Sequence, residues 1–90
     1  MVNYKVVYTK NAAKDISNLK AANLSNKAQN LIELIKENPF QNPPPYEKLL
    51  GNLSGLYSRR INRQHRIVYE VNEEDKEIHI LRMWTHYDKL

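Results

Sequence analysis

The 90-residue chain contains no cysteine. That absence excludes disulfides, thiolate nucleophiles and thiolate zinc sites, and it suits a reducing compartment. Glycine is almost as scarce. Gly51 and Gly55 are the only two, so no glycine-rich loop is available to cradle a nucleotide's phosphates. His65, His79 and His86 lack the short-range spacing of metal ligands, such as a helical HxxxH, and no metal or other cofactor is expected. No apolar run approaches the roughly 20 residues of a membrane span. The opening stretch MVNYKVVYTKNAAKD is broken by polar residues every few positions, unlike a signal peptide. The expectation is a soluble, cytoplasmic protein without a membrane partner.

What is present is ordinary globular composition, 41% hydrophobic and 27% charged, rather than that of a disordered tail. Residues 1–90 read as a single domain. The net charge of +4 favours anionic partners only weakly. Its distribution says more: from Glu47 to Arg66 there is one acid against five cations, Lys48, Arg59, Arg60, Arg63 and Arg66.

Tyr4–Thr9 is rich in β-branched and aromatic residues and predicts a strand. Ala12, Ala13, Ile16 and Leu19 then recur at helical spacing, with Thr9 or Asn11 as cap and Asn23 as breaker. Ser25 predicts the N-cap of a second helix, whose stripe is Ala28, Leu31, Ile32 and Ile35 and which Pro39 stops. PFQNPPPY at 39–46 predicts a stiff, extended polyproline connector. Leu56–Asn62 and His65–Val71 predict a hairpin turning near Arg63–Gln64. Asn72–Asp75 then leads into a long strand over Lys76–His86. The fold class is α+β: an N-terminal strand, two helices, then an antiparallel β-meander packed against the helices.

With metals, nucleotides and Ser or Cys triads set aside, general acid–base chemistry remains. Cleavage of RNA by transesterification fits, because the substrate supplies its own nucleophile, the 2′-OH. Such a site needs a base, an acid and a cation to hold charge on the phosphorane. Glu47 precedes the basic hairpin, which carries the arginines, and His86 lies beyond it.

The stretch NLSGLYSRRINRQHRIVYEV, with Glu47 upstream and THY at 85–87, resembles the Txe/YoeB-type toxins of bacterial toxin–antitoxin systems, in the RelE/ParE superfamily. The resemblance runs over nearly the whole chain and is carried by N-L-S-G, S-R-R-I, H-R-x-V-Y and H-Y in order. It implies a RelE-like, microbial-ribonuclease-like fold and a ribosome-dependent, metal-independent mRNA endonuclease acting in the A site. It further implies Glu47 as general base, Arg66 as stabiliser of the phosphorane and His86 as general acid. Arg60 becomes a phosphate contact, and Tyr87 positions RNA or stacks on a base. Lys48 and Arg59 complete the candidate RNA-binding set, although for Arg59, as for Arg63, charge on an edge strand for solubility is the competing reading. Two departures stand out. Some relatives carry a lysine a few residues after the glutamate, where this chain has Leu49 and Leu50. The chain also continues through Asp88–Leu90.

An unperturbed histidine, with a pKa of about 6.5, is mostly neutral at pH 7, so a general acid at His86 calls for nearby negative charge such as bound phosphate. Two other functions stay open: a non-catalytic inhibitor of a protein target, like the gyrase-poisoning relatives, and a basic module that binds RNA or an acidic peptide. The resemblance also implies partners: a YefM/Phd-type antitoxin, the ribosome and mRNA, operator DNA through the antitoxin complex, and a second copy in a homodimer.

Overall fold

A computed structural model describes residues 3–84. The elements are β1 (Lys5–Tyr8), α1 (Lys10–Ala21), α2 (Ser25–Glu37), β2 (Glu47–Lys48), β3 (Leu56–Arg60), β4 (Arg66–Asn72) and β5 (Glu77–Arg82), with a 3-10 turn at Gly51–Leu53. They form one five-stranded sheet in the order β1-β5-β4-β3-β2. The meander β2 to β5 is antiparallel, whereas β1 lies parallel to β5, Val6 beside Ile78 and Tyr8 beside Ile80. The α+β class and the antiparallel meander are as the sequence indicates.

Both helices contribute to one apolar cluster with the sheet. Ala12 and Leu19 of α1 and Ala28, Ile32 and Ile35 of α2 meet Ile67, Tyr69, Ile78 and Ile80 of the central strands. Tyr69 stands opposite Ile80, and a bulge between Val68 and Tyr69 shifts the register of that ladder.

The local signals are respected in part. Thr9 caps α1, its Oγ1 accepting from the Ala12 amide at 3.2 Å. Ser25 does not cap α2. It is the first helical residue, and the cap position belongs to Leu24, which makes no side-chain capping bond. Asn23, at φ 60°, turns the chain there, and the Leu24 amide donates back to the Leu19 carbonyl. The turn thus presents Leu24 to the core, where it packs against the apolar cluster. The α1 stripe also differs from its periodicity. Ala12 and Leu19 are buried, but Ile16 is 44% exposed and Asp15 is buried. The reason is a polar knot. Asp15 accepts from Arg82 Nε at 2.9 Å and Nη2 at 3.3 Å, and from the Met83 amide at 2.9 Å, fixing the end of β5 against α1.

The 39–46 segment is not an extended polyproline helix. The Asn42–Pro43 and Pro43–Pro44 bonds are cis, and the carbonyls of Pro39, Gln41 and Pro44 all turn toward one guanidinium, that of Arg59.

Tyr69 gives a pH prediction. It is fully buried and donates to the Pro39 carbonyl at 2.8 Å. Burial pushes its phenol above the ordinary 10.0, while the Arg59 guanidinium pulls it part of the way back. A folded value above the unfolded one means this contribution is complete below about pH 10 and is lost as pH rises through the folded value. Of the phenolate absorbance from the six tyrosines, the last fraction to appear in an alkaline titration should therefore rise together with loss of helical circular dichroism. A phenolate signal complete before any unfolding would contradict the assignment.

Candidate active site

The centre of the site lies where the two-residue β2 meets β3. In that register Glu47 stands opposite Ser58 and Lys48 opposite Tyr57, while Arg66 stands opposite Arg60 on the neighbouring ladder. Side chains alternate across a sheet, so Glu47, Ser58, Arg60 and Arg66 share one face. Arg66 Nη1 donates to Glu47 Oε1 at 2.9 Å and to Ser58 Oγ at 3.3 Å. The Arg66 side chain is 14% exposed and that of Glu47 is 53% exposed. The guanidinium is therefore held by the sheet, and the carboxylate is open to solvent.

A cleft of about 260 Å³ opens there. It is lined by Pro44, Pro45 and Tyr46 of the connector, by Glu47, by Ser58, Arg59 and Arg60 of β3, by Arg66, and by Leu31 of α2. Two guanidinium groups, those of Arg60 and Arg66, share the face of the Glu47 carboxylate, so an anion entering the cleft meets a positive field. The volume falls at the small end of ligand pockets, about 300–1,000 Å³, and suits a phosphate and its neighbouring atoms rather than an enclosed metabolite.

The structure brings together Glu47, Arg66 and Arg60, the last of them exposed. Lys48 does not join them. It follows Glu47 on a strand and so stands opposite Tyr57, beside a depression that Glu47, Leu49, Leu50 and Leu53 also line. Arg59 requires a correction. Its side chain is not a surface group awaiting RNA: it is 1% exposed. Nη1 donates to the Pro44 carbonyl, Nη2 to the Pro39 and Gln41 carbonyls and Nε to the Tyr69 hydroxyl. Those donors are spent inside the protein. His86 and Tyr87 lie outside the described residues.

Sequence reasoning missed two participants. Ser58 is buried and holds Arg66, and its only sequence signal was its place in the S-R-R-I run. Asp15 had no signal at all, since a lone acid on a helix reads as solvent-facing.

Residues 8–87 match the family model described as the YoeB-like toxin of bacterial type II toxin–antitoxin systems. The chain belongs to that family. Among curated proteins it is 41% identical to Toxin YoeB of Synechocystis over 59 residues, 66% of either chain. The aligned stretch thus spans just under two thirds of that relative's length. Among solved structures, the YoeB/ParE toxin from Agrobacterium tumefaciens is 30% identical, with a TM-score of 0.83 over 92% of this chain and 99% of that one. Two structures from Staphylococcus aureus, a YoeB–YefM complex and a YoeB dimer, are each 31% identical, with TM-scores of 0.78 and 0.80 over 96% of this chain and 100% of theirs. The RelE/YoeB fold and membership among type II toxins are established by these likenesses. No helix among the described residues is long and apolar enough to cross a membrane.

Proposed function

We propose that this YoeB-family toxin is a ribosome-dependent, metal-independent mRNA endonuclease that cuts in the A site and thereby inhibits translation. The observation that carries the reading is the Glu47–Arg66 pair at 2.9 Å inside a cleft that Arg60 also lines.

The proposed reaction is a transesterification. The 2′-oxygen attacks the adjacent phosphorus as Glu47 takes its proton. The new O–P bond forms, the P–O5′ bond breaks, and His86 delivers a proton to the leaving oxygen. The products are a 2′,3′-cyclic phosphate and a free 5′-OH. Arg66 matches the charge that develops on the phosphorane oxygens, where a preorganised donor is worth most. Ser58 and Glu47 keep that guanidinium aimed along the sheet face, and Arg60 offers a second phosphate contact at the exposed edge. Tyr87 is assigned to positioning RNA. The ribosome supplies the substrate's geometry, which a site this open does not enforce by itself.

The proposed partners follow the same line. The Staphylococcus aureus toxin is seen with YefM and as a dimer. We assign to this chain a YefM/Phd-type antitoxin whose acidic segment covers the cleft, operator binding through that complex, and self-association. A net charge of +4 makes the antitoxin encounter salt-dependent.

The deciding experiment incubates purified protein with a translating ribosome–messenger complex and with the same RNA free, beside a His86→Ala control. Cuts at the A-site codon ending in a cyclic phosphate, lost in the variant, are expected. A folded protein that cuts neither substrate overturns the endonuclease reading in favour of a non-catalytic inhibitor.

A further inference from the structure

All four prolines of the chain lie within 39–46, at positions 39, 43, 44 and 45. Proline has no amide hydrogen, so the segment entering β2 is rich in acceptors and poor in donors. It cannot hold itself in place by strand-like pairing. β2 gives little help, since it pairs with β3 only over Glu47 and Lys48.

Most of the missing donors come from one side chain, beside a longer bond of 3.4 Å from Gln41 Nε2 to the Pro43 carbonyl. Arg59 Nη1 reaches the Pro44 carbonyl at 2.7 Å, and Nη2 reaches the Gln41 carbonyl at 2.8 Å and the Pro39 carbonyl at 3.1 Å. Its Nε donates at 3.1 Å to the Tyr69 hydroxyl, which itself donates to Pro39. The guanidinium carbon sits 5.1 Å from the ring centre of Tyr46, the residue directly before Glu47. Among the described residues no carboxylate lies within ion-pair distance of Arg59. A buried cation satisfied by carbonyls, a hydroxyl and an aromatic ring rather than a carboxylate is an unusual way to stabilise a core. It is an effective way to gather a loop, because the guanidinium fork is rigid and rich in donors.

Position in the sheet completes the argument. Ser58 pairs through its backbone with Glu47 and binds Arg66 with its hydroxyl. The next residue, Arg59, points to the other face and secures the segment that delivers Glu47. Two successive residues of β3 thus locate the carboxylate from both sides of the strand. We infer that Arg59 is a positioning residue: by gathering the 39–46 segment it places the Glu47 carboxylate against Arg66. The consequence for catalysis rests on Glu47 being the base, as proposed above. The placement itself does not.

The test uses Arg59→Lys, which keeps the charge and removes the fork. In the variant chain, hydrogen exchange at the amides of residues 46–50 should accelerate while α1 and α2 remain protected. At saturating ribosome complex, kcat should fall about 10²-fold, with KM moving less than about threefold, as expected when a reacting group is misplaced. In a Glu47→Gln background the same change should add almost nothing, because residues acting through one another are not additive. Unchanged exchange over 46–50 in a folded variant overturns the inference. So does a rate loss that multiplies in full onto that of Glu47→Gln. If wild-type protein cuts neither substrate, the endonuclease reading fails and the exchange result alone decides the placement. If Arg59→Lys does not fold, Tyr69→Phe takes its place. It deletes only the hydroxyl shared by Arg59 and Pro39, and it too should accelerate exchange over 46–50, with unchanged exchange counting against the inference.

Discussion

Glu47→Gln is expected to leave the fold intact and to lower the rate of ribosome-bound mRNA cleavage about 10²–10⁴-fold, the usual contribution of a positioned general base. Glutamine keeps the size of the side chain and an oxygen that can still accept from Arg66 Nη1. What it loses is the capacity to take a proton. Because Glu47 is more than half exposed and sits on an edge strand, its ion pair with Arg66 contributes little to stability, about 0.2–1 kcal/mol in typical exposed pairs. Thermal unfolding should therefore hardly move. Single-turnover cleavage on a programmed ribosome separates the two quantities: kcat should collapse while binding of the complex persists. A variant that cleaves at the wild-type rate would remove Glu47 from the chemistry and leave it as a tether for Arg66.

The largest expected effect on stability lies far from that cleft. Asp15→Ala should destabilise the protein by about 3 kcal/mol, the low end for breaking a buried charge pair, because the Arg82 side chain keeps 21% exposure and can recover some water. The Met83 amide also loses its acceptor in a buried position. For a domain of this size each kcal/mol is worth about 4–8 °C in Tm, so a fall of at least 12 °C is expected. Asp15→Asn keeps an oxygen for the Met83 amide and should lose roughly half as much. Chemical denaturation and calorimetry provide the measurement. An Asp15→Ala protein within about 1 kcal/mol of wild type would show that the knot is not a structural anchor.

These two sites also mark what could be read before the structure. The helices and the β3–β4 hairpin were legible because their signals are local: the stripe of α2, Thr9 before α1, and β-branched residues flanking Arg63–Gln64. Glu47 and Arg66, nineteen positions apart, were linked by motif, and the sheet brings them into contact. What was not legible depends on distant pairing. β1 runs parallel to β5, which no feature of Lys5–Tyr8 announces. β2 is two residues long and exists only because β3 offers an edge. Arg59, one of a run of cations, and Asp15, a lone acid on a helix, escaped because charges in a short chain are normally solvated. Their partners are backbone carbonyls and the Tyr69 hydroxyl in one case, and Arg82 with the Met83 amide in the other, and neither leaves a periodic trace. Ser25 illustrates the opposite error, a favourable local cap set aside so that Leu24 could reach the core.

The parallel pairing of β1 with β5 has a bearing on biosynthesis. The first of the described strands has a single neighbour in the sheet, and that neighbour is the last described strand, some seventy residues later in register, Lys5 beside Glu77. A chain emerging vectorially can form α1 and α2, whose contacts are local. Ile78, Ile80 and Met83, which belong to the same buried cluster as the helices, follow both helices and β2 to β4 in the chain. Until residues 77–83 are available that cluster is open, and a nascent chain stopped short of them carries β1 and one edge of β4 unpaired in place of a finished sheet.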